Sequence, residues 1–137
     1  MSIPKKSRFI LLTHTADKAG VHHDLRFEQP TGKLWDSFAI RKNVPLEQGT
    51  RVLAVKTHDH NEEDALTTKP ITHGYGKGHY VKEDDGTCII EKYHPSHIVV
   101  TFQGKKLKGT YHFISLKVVK GKDGELREYL FFKGRNA

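Results

Sequence analysis

The chain has little cysteine and no long hydrophobic run. Cys88 is the single cysteine among 137 residues, so no intramolecular disulfide can form, and the odd thiol indicates either a reducing compartment or a tolerated free thiol. No apolar stretch is long enough to cross a membrane as a helix, and the basic segment Met1–Ser7 lacks the apolar core of a signal peptide. We therefore expect a cytoplasmic protein with no membrane partner, folded as one domain over residues 1–137.

Acidic residues are also in short supply. Sixteen Asp and Glu face 23 Lys and Arg, which gives a formal net charge of +7 and a pI of about 9.5. Such an excess of cations fits a polyanionic partner, either a nucleic acid or an anionic membrane surface. Ten histidines are many for this length. Because histidine is a common metal ligand, this number indicates that the chain can contain a metal site.

Long amphipathic helices are absent, and the pattern is instead one of short β-prone runs separated by turn residues. Many short strands at this spacing are typical of a barrel or sandwich. We predict a mainly β fold, a small closed or nearly closed β-barrel with short flanking helical segments, and room for one helical turn within 61–68. The predicted strands cover 8–13, 21–28, 33–40, 52–57, 87–92, 98–103, 109–119 and 126–133.

The most informative run is the alternating sequence His22–Glu28. Because strand side chains alternate between faces, His22, Asp24 and Arg26 share one face with Glu28. Two possible metal ligands beside a guanidinium suit metal-assisted chemistry on an anion such as phosphate. The alternative interpretation is a half-buried strand with a solvated polar face.

A second histidine cluster follows the apolar strand residues 53–55. His58 and His60 are two positions apart, so they can point the same way in an extended chain, and His14 ends an earlier strand. Ligands of catalytic metal sites commonly come from the ends of several strands. For any one of these histidines taken alone, a surface or capping role is more common than metal ligation, and it is their grouping that favours a metal site.

In order and spacing, these motifs resemble the 3′-phosphoesterase domain family of bacterial DNA ligase D, which acts in non-homologous end joining and also occurs as stand-alone proteins. The similarity extends over nearly the whole chain, and its motifs lie between Arg8 and Gly78. They are Arg8-Phe9, His14, His22–Glu28, Leu34–Ala39, Lys42, Leu53–Val55 with Asp59-His60, and Gly74–Gly78.

The resemblance implies one divalent metal, typically Mn²⁺, although Zn²⁺ or Co²⁺ also suits a mixed nitrogen and oxygen site. The metal ligands that it implies are His14, His22, Asp24 and His60.

The same resemblance implies residues that act on the phosphate, and others that support the metal ligands. The implied catalytic residues are His14, Arg26, Lys42 and Arg51. The implied supporting residues are His58 and Asp59, and His58 stands where many family members carry glutamate.

The family removes a 3′-terminal ribonucleoside and then a 3′-phosphate to leave a 3′-hydroxyl. The resemblance therefore implies a metal-dependent 3′-phosphodiesterase and 3′-phosphomonoesterase that acts on DNA or RNA-tipped DNA 3′ ends. Its candidate partners are a repair polymerase and a ligase, and its location is the nucleoid. Two alternatives remain open: a DNA-end-binding module of the same fold that has lost catalysis, and a metal-binding protein unrelated to nucleic acid. The second leaves the basic charge unexplained.

Overall fold

The computed structural model describes residues 3–18, 20–70, 72, 77–121 and 124–135, which are mostly β-strand. Each predicted strand is present, and the predicted helical turn is the helix α1. The elements in chain order are β1 (Lys5–Ala16), β2 (Gly20–Glu28), β3 (Trp35–Ile40), β4 (Arg51–Lys56), α1 (Glu62–Leu66), β5 (Gly78–His94), β6 (His97–Gln103), β7 (Lys108–Gly121) and β8 (Gly124–Lys133).

The eight strands form one closed antiparallel barrel. Their order around it is β1-β2-β3-β4-β8-β7-β6-β5, and β5 pairs back onto β1. The predicted closed barrel is thus confirmed. Closure means that each of these eight strands pairs with a neighbour on both sides.

The buried apolar side chains form two separate clusters. Leu25 and Phe27 belong to the large cluster inside the barrel, which also holds the buried Cys88. Burial raises the pKa of the Cys88 thiol to about 12, so this thiol is a packing residue rather than a reactive one. Trp35 belongs to a second, smaller cluster with Ala65 of α1. The short helix therefore covers part of the barrel's outer surface.

One strand differs from its prediction. The expected strand 87–92 is part of β5, which already begins at Gly78. Its first half carries polar residues such as Lys82 and Asp84, and it is held as a strand by pairing with β1. The predicted turn Gly74–Gly78 lies largely outside the described residues. Among the described residues, no helix combines the length and the apolar character needed to cross a membrane.

Candidate metal centre and cation-lined cleft

The pairing of β1 with β2 brings two histidines and an aspartate together. His14 is the direct cross-strand neighbour of His22, and Asp24 lies two residues further along the same face of β2. One ligand atom from each of these three residues lies within 4.8 Å of the other two. We call this group the His–Asp cluster. Two imidazoles and a carboxylate are donors that suit Mn²⁺, Zn²⁺ or Co²⁺.

The His–Asp cluster is partly buried at the protein surface. His14 and Asp24 are 4% and 6% exposed, whereas His22 is only partly buried. Nε2 of His22 lies 3.2 Å from Oδ1 of Asp24, and Nη2 of Arg26 lies 3.5 Å from Oδ2. Both oxygens of this buried carboxylate thus face cationic or imidazole groups, which offsets the cost of burying its charge. The exposed side of His22 is where an incoming group can approach.

Tyr80 completes the wall of the cluster, although sequence reasoning did not single it out. Its ring stacks on His14 at a centroid distance of 4.2 Å, and the Arg26 guanidinium lies 5.7 Å from its centre. Burial and the nearby Asp24 carboxylate raise the pKa of Tyr80. Tyr80 is opposite His14 because β5 pairs with β1, and that pairing had no sequence signal at this end of β5.

Arg26 lies beneath the cluster and joins α1 to the barrel. It is 4% exposed, and its Nε donates to Oγ of Ser37 at 3.2 Å. Its Nη1 donates to the main-chain oxygens of Asp64 at 3.1 Å and Ala65 at 3.0 Å. Most of its N–H groups are therefore occupied by protein acceptors, in addition to the contact with Asp24.

His60 lies near this group but is not one of the three residues whose ligand atoms are mutually close. Its main chain forms an isolated antiparallel bridge with Trp35, which holds it beside the barrel. Burial, together with the positive charge of Arg26 and the neighbouring His58, lowers the pKa of His60 to about 4. The imidazole is thus neutral near pH 7, which is the form that can coordinate a metal.

The two expected supporting residues lie in different surroundings. The ring of His58 is 4.5 Å from that of His60. The carboxylate of Asp59 instead accepts a hydrogen bond from Nζ of Lys56 at 3.0 Å. Burial raises the pKa of Asp59, but the hydrogen bond and charge of Lys56 outweigh it, so the pKa is lowered overall.

Lys42 and Arg51 both line a surface cleft of about 720 Å³, and His22 lies at its edge. Arg41 adds a third cation, which sequence reasoning did not single out. The walls include Leu53, Val55 and Leu126, and Glu128 is the acidic residue among the described lining side chains. Arg51 faces outward because its neighbour Val52 points into the barrel core. A cationic, partly apolar cleft that opens beside the His–Asp cluster can hold a phosphate chain.

Comparison with known proteins agrees with this architecture. A model of the DNA ligase D 3′-phosphoesterase domain matches residues 12–115. The chain is 36% identical over 130 residues to the multifunctional non-homologous end joining protein LigD of Mycolicibacterium smegmatis, and the match covers 84% of this chain and 16% of that protein. It is 33% identical over 111 residues to the LigD proteins of Mycobacterium bovis and Mycobacterium tuberculosis, covering 77% of this chain and 14% of each relative.

The chain therefore spans about one sixth of the length of these curated relatives. The matched region contains every strand from β2 to β6 and all three residues of the His–Asp cluster. On these grounds the chain belongs to the DNA ligase D 3′-phosphoesterase domain family.

Proposed function

We propose that this protein is a metal-dependent phosphoesterase that processes DNA 3′ ends during repair. It would remove a 3′-terminal ribonucleoside, a 3′-phosphate, or both, and leave a 3′-hydroxyl. The observation that carries the proposal is the His–Asp cluster at the edge of a cleft lined by Lys42 and Arg51. Metal ligands beside cations are a combination that suits the binding and hydrolysis of a phosphate ester.

The donor set fits a divalent ion of borderline softness. His14 and His22 offer nitrogen and Asp24 offers oxygen, a mixed set that accepts Mn²⁺, Zn²⁺ or Co²⁺, and Mn²⁺ is the ion that the family resemblance implies. His60, on the neighbouring segment, is the fourth ligand in this proposal. A bound ion supplies Lewis-acid stabilisation of the charge that develops on the phosphoryl group.

The protein's own side chains hold the substrate and the ligands in place. Lys42 and Arg51 neutralise phosphate charge in the cleft. Arg26 contacts the Asp24 carboxylate and orients it, while Tyr80 packs on the ring of His14. Preorganised ligands need not rearrange when the metal and the phosphate bind. The 3′-hydroxyl that results is the end that a polymerase extends and a ligase seals, so these are the partner activities that the proposal implies.

A DNA-end-binding module without turnover is the second candidate. Two observations favour it: His60 is not in the group of mutually close ligand atoms, and the Arg26 guanidinium is largely engaged by Ser37, Asp64 and Ala65. An active enzyme needs the His–Asp cluster to bind a metal and leave a position open for the substrate. A binding module needs only the cleft.

A labelled primer-template with a 3′-terminal ribonucleotide, incubated with Mn²⁺ or with chelator, separates the two candidates. We expect metal-dependent release of the terminal nucleoside by the native protein and its loss in His22→Ala. The matched control is His94→Ala, because His94 is exposed and contacts Ser96 at the β5–β6 turn. Salt-sensitive binding with no cleavage at any metal concentration would reject the enzyme and favour the module.

A further inference from the structure

A second depression adjoins the cleft and shares Arg51 with it. This groove, of about 370 Å³, lies where the chain leaves β8, and its lining includes Gln48, Arg51, Lys133 and Arg135. We call it the Lys133 groove. Three cations face it, and no acidic residue is found among the described side chains that line it. Its charge suits an anion.

Arg51 is held at the boundary between the two depressions. Its guanidinium lies 4.8 Å from the centre of the Phe132 ring, its cross-strand neighbour on β8. Phe132 stacks in turn on His112 of β7 at 5.3 Å. A cation over a supported aromatic ring keeps its N–H groups free to turn to either side. The cleft and the Lys133 groove therefore form one continuous cationic path.

The floor of the groove is fixed main chain. The Gly134 N–H donates to the Thr110 oxygen at 2.7 Å, and the Gly134 oxygen accepts from Nε2 of Gln48 at 3.1 Å. A Cβ atom at Gly134 would lie 2.7 Å from Nε2 of His112. A side chain at this position would displace the His112 ring, so the main chain of Gly134 is packed closely against β7.

We propose that the Lys133 groove binds a backbone phosphate of the nucleic acid whose 3′ end reaches the His–Asp cluster. This inference rests on the proposed function and extends it to the duplex behind the end. The occupant is a polyanion rather than a small free anion, because Arg51 connects the groove to a cleft that already leads to the cluster.

The strand order gives the approximate position of that phosphate. β8 is three strands away from β2 around the barrel, which is about 14 Å at the usual strand spacing. Duplex DNA rises about 3.4 Å per base pair. Arg51 also lies four residues along β4 from Val55, which is level with Asp24 in the sheet, so the groove contacts the backbone at least about four base pairs from the 3′ end, beyond the reacting nucleotide.

The test is binding of a DNA duplex with an ordinary 3′-hydroxyl, in chelator, over a series of salt concentrations. Lys133→Gln with Arg135→Gln removes two cations from the groove. Lys105→Gln with Lys106→Gln removes two cations from the β6–β7 turn and is the matched control. Losing the contact with this phosphate should reduce the slope of log affinity against log salt by about one, and weaken binding at 0.1 M salt by about one power of ten. The control should bind as the native protein does.

Equal binding by the groove variant and the native protein, at unchanged melting temperature, would overturn the inference. So would a loss confined to the β6–β7 control, or a native protein that does not bind the duplex. The separate cleavage assay reports on the proposed function. If only the groove variant binds DNA more weakly and the native protein never cleaves, the inference about the groove stands and the proposed enzymatic function is rejected.

Discussion

Replacing Arg26 with alanine tests how α1 and the His–Asp cluster are joined to the barrel. The guanidinium is 4% exposed and contacts Ser37, two α1 carbonyl oxygens and Asp24. In Arg26→Ala the Asp24 carboxylate loses its cation, and the buried Ala65 oxygen loses its donor. Removing one partner of a buried pair costs about 3–5 kcal/mol. For a chain of this size that corresponds to a fall in melting temperature of about 10–20 °C.

Arg8→Ala is the matched control, because Arg8 also links α1 to the barrel. It contacts Glu28 of β2 and Glu62 of α1, but its side chain is 48% exposed. An exposed ion pair contributes about 0–1 kcal/mol. Urea denaturation of both variants measures the difference in the free energy of unfolding. If Arg26→Ala lowers the free energy of unfolding no more than Arg8→Ala does, the buried contacts of Arg26 do not stabilise the fold by the amount given above.

The same variant separates two roles of Arg26 at the candidate site. As a phosphate contact alone, Arg26 could be lost without a change in Mn²⁺ affinity. The contact with Asp24 predicts that Mn²⁺ also binds more weakly to Arg26→Ala. Calorimetric titration of the folded variant, below its melting range, measures this. An unchanged Mn²⁺ affinity would show that Arg26 does not support the metal site and acts only through its contacts with the substrate and with α1.

Three further changes test individual contacts. Tyr80→Val removes the ring that stacks on His14 and should weaken Mn²⁺ binding by about 10–100-fold, while Tyr80→Phe should retain it; equal calorimetric affinities would refute the positioning role. Burial raises the pKa of Asp84, but main-chain N–H donors including those of Leu107, Lys105 and Lys106 outweigh it and lower the pKa overall. Its contribution to stability is therefore present above the unfolded pKa and is lost as pH falls through the folded one. Asp84→Asn should cost about 1–3 kcal/mol at neutral pH and flatten the acid limb of stability against pH; an unchanged acid limb in urea titrations would contradict this. Gly104→Ala places a Cβ atom 2.3 Å from Oδ2 of Asp84, so we expect a loss of about 1–3 kcal/mol by thermal melting, and a native melting temperature would show that the β6–β7 turn can yield.

Local periodicity was enough to predict the strands other than the first half of β5, and the shared face of His22, Asp24 and Arg26. A strand's two-residue repeat is a property of the backbone, so the faces of β2 follow from the order of its residues. Turn residues gave the β2–β3 hairpin in the same way. The apolar run in β1 was less informative, because Ile10 and Leu12 belong to the outer cluster while Phe9 and Leu11 belong to the barrel core. Only the covering helix explains why both faces are apolar.

The distances within the site depended on pairing between distant segments, which no local pattern encodes. The register of β1 with β2 places His14 opposite His22, and that of β1 with β5 places Tyr80 on His14. Lys42 and Arg51 line one cleft because barrel closure brings β3, β4 and β8 side by side. Sequence determined the residue types and the face of each strand. Tertiary structure decided which faces meet, because contacts between segments far apart in the chain form only when the whole barrel closes.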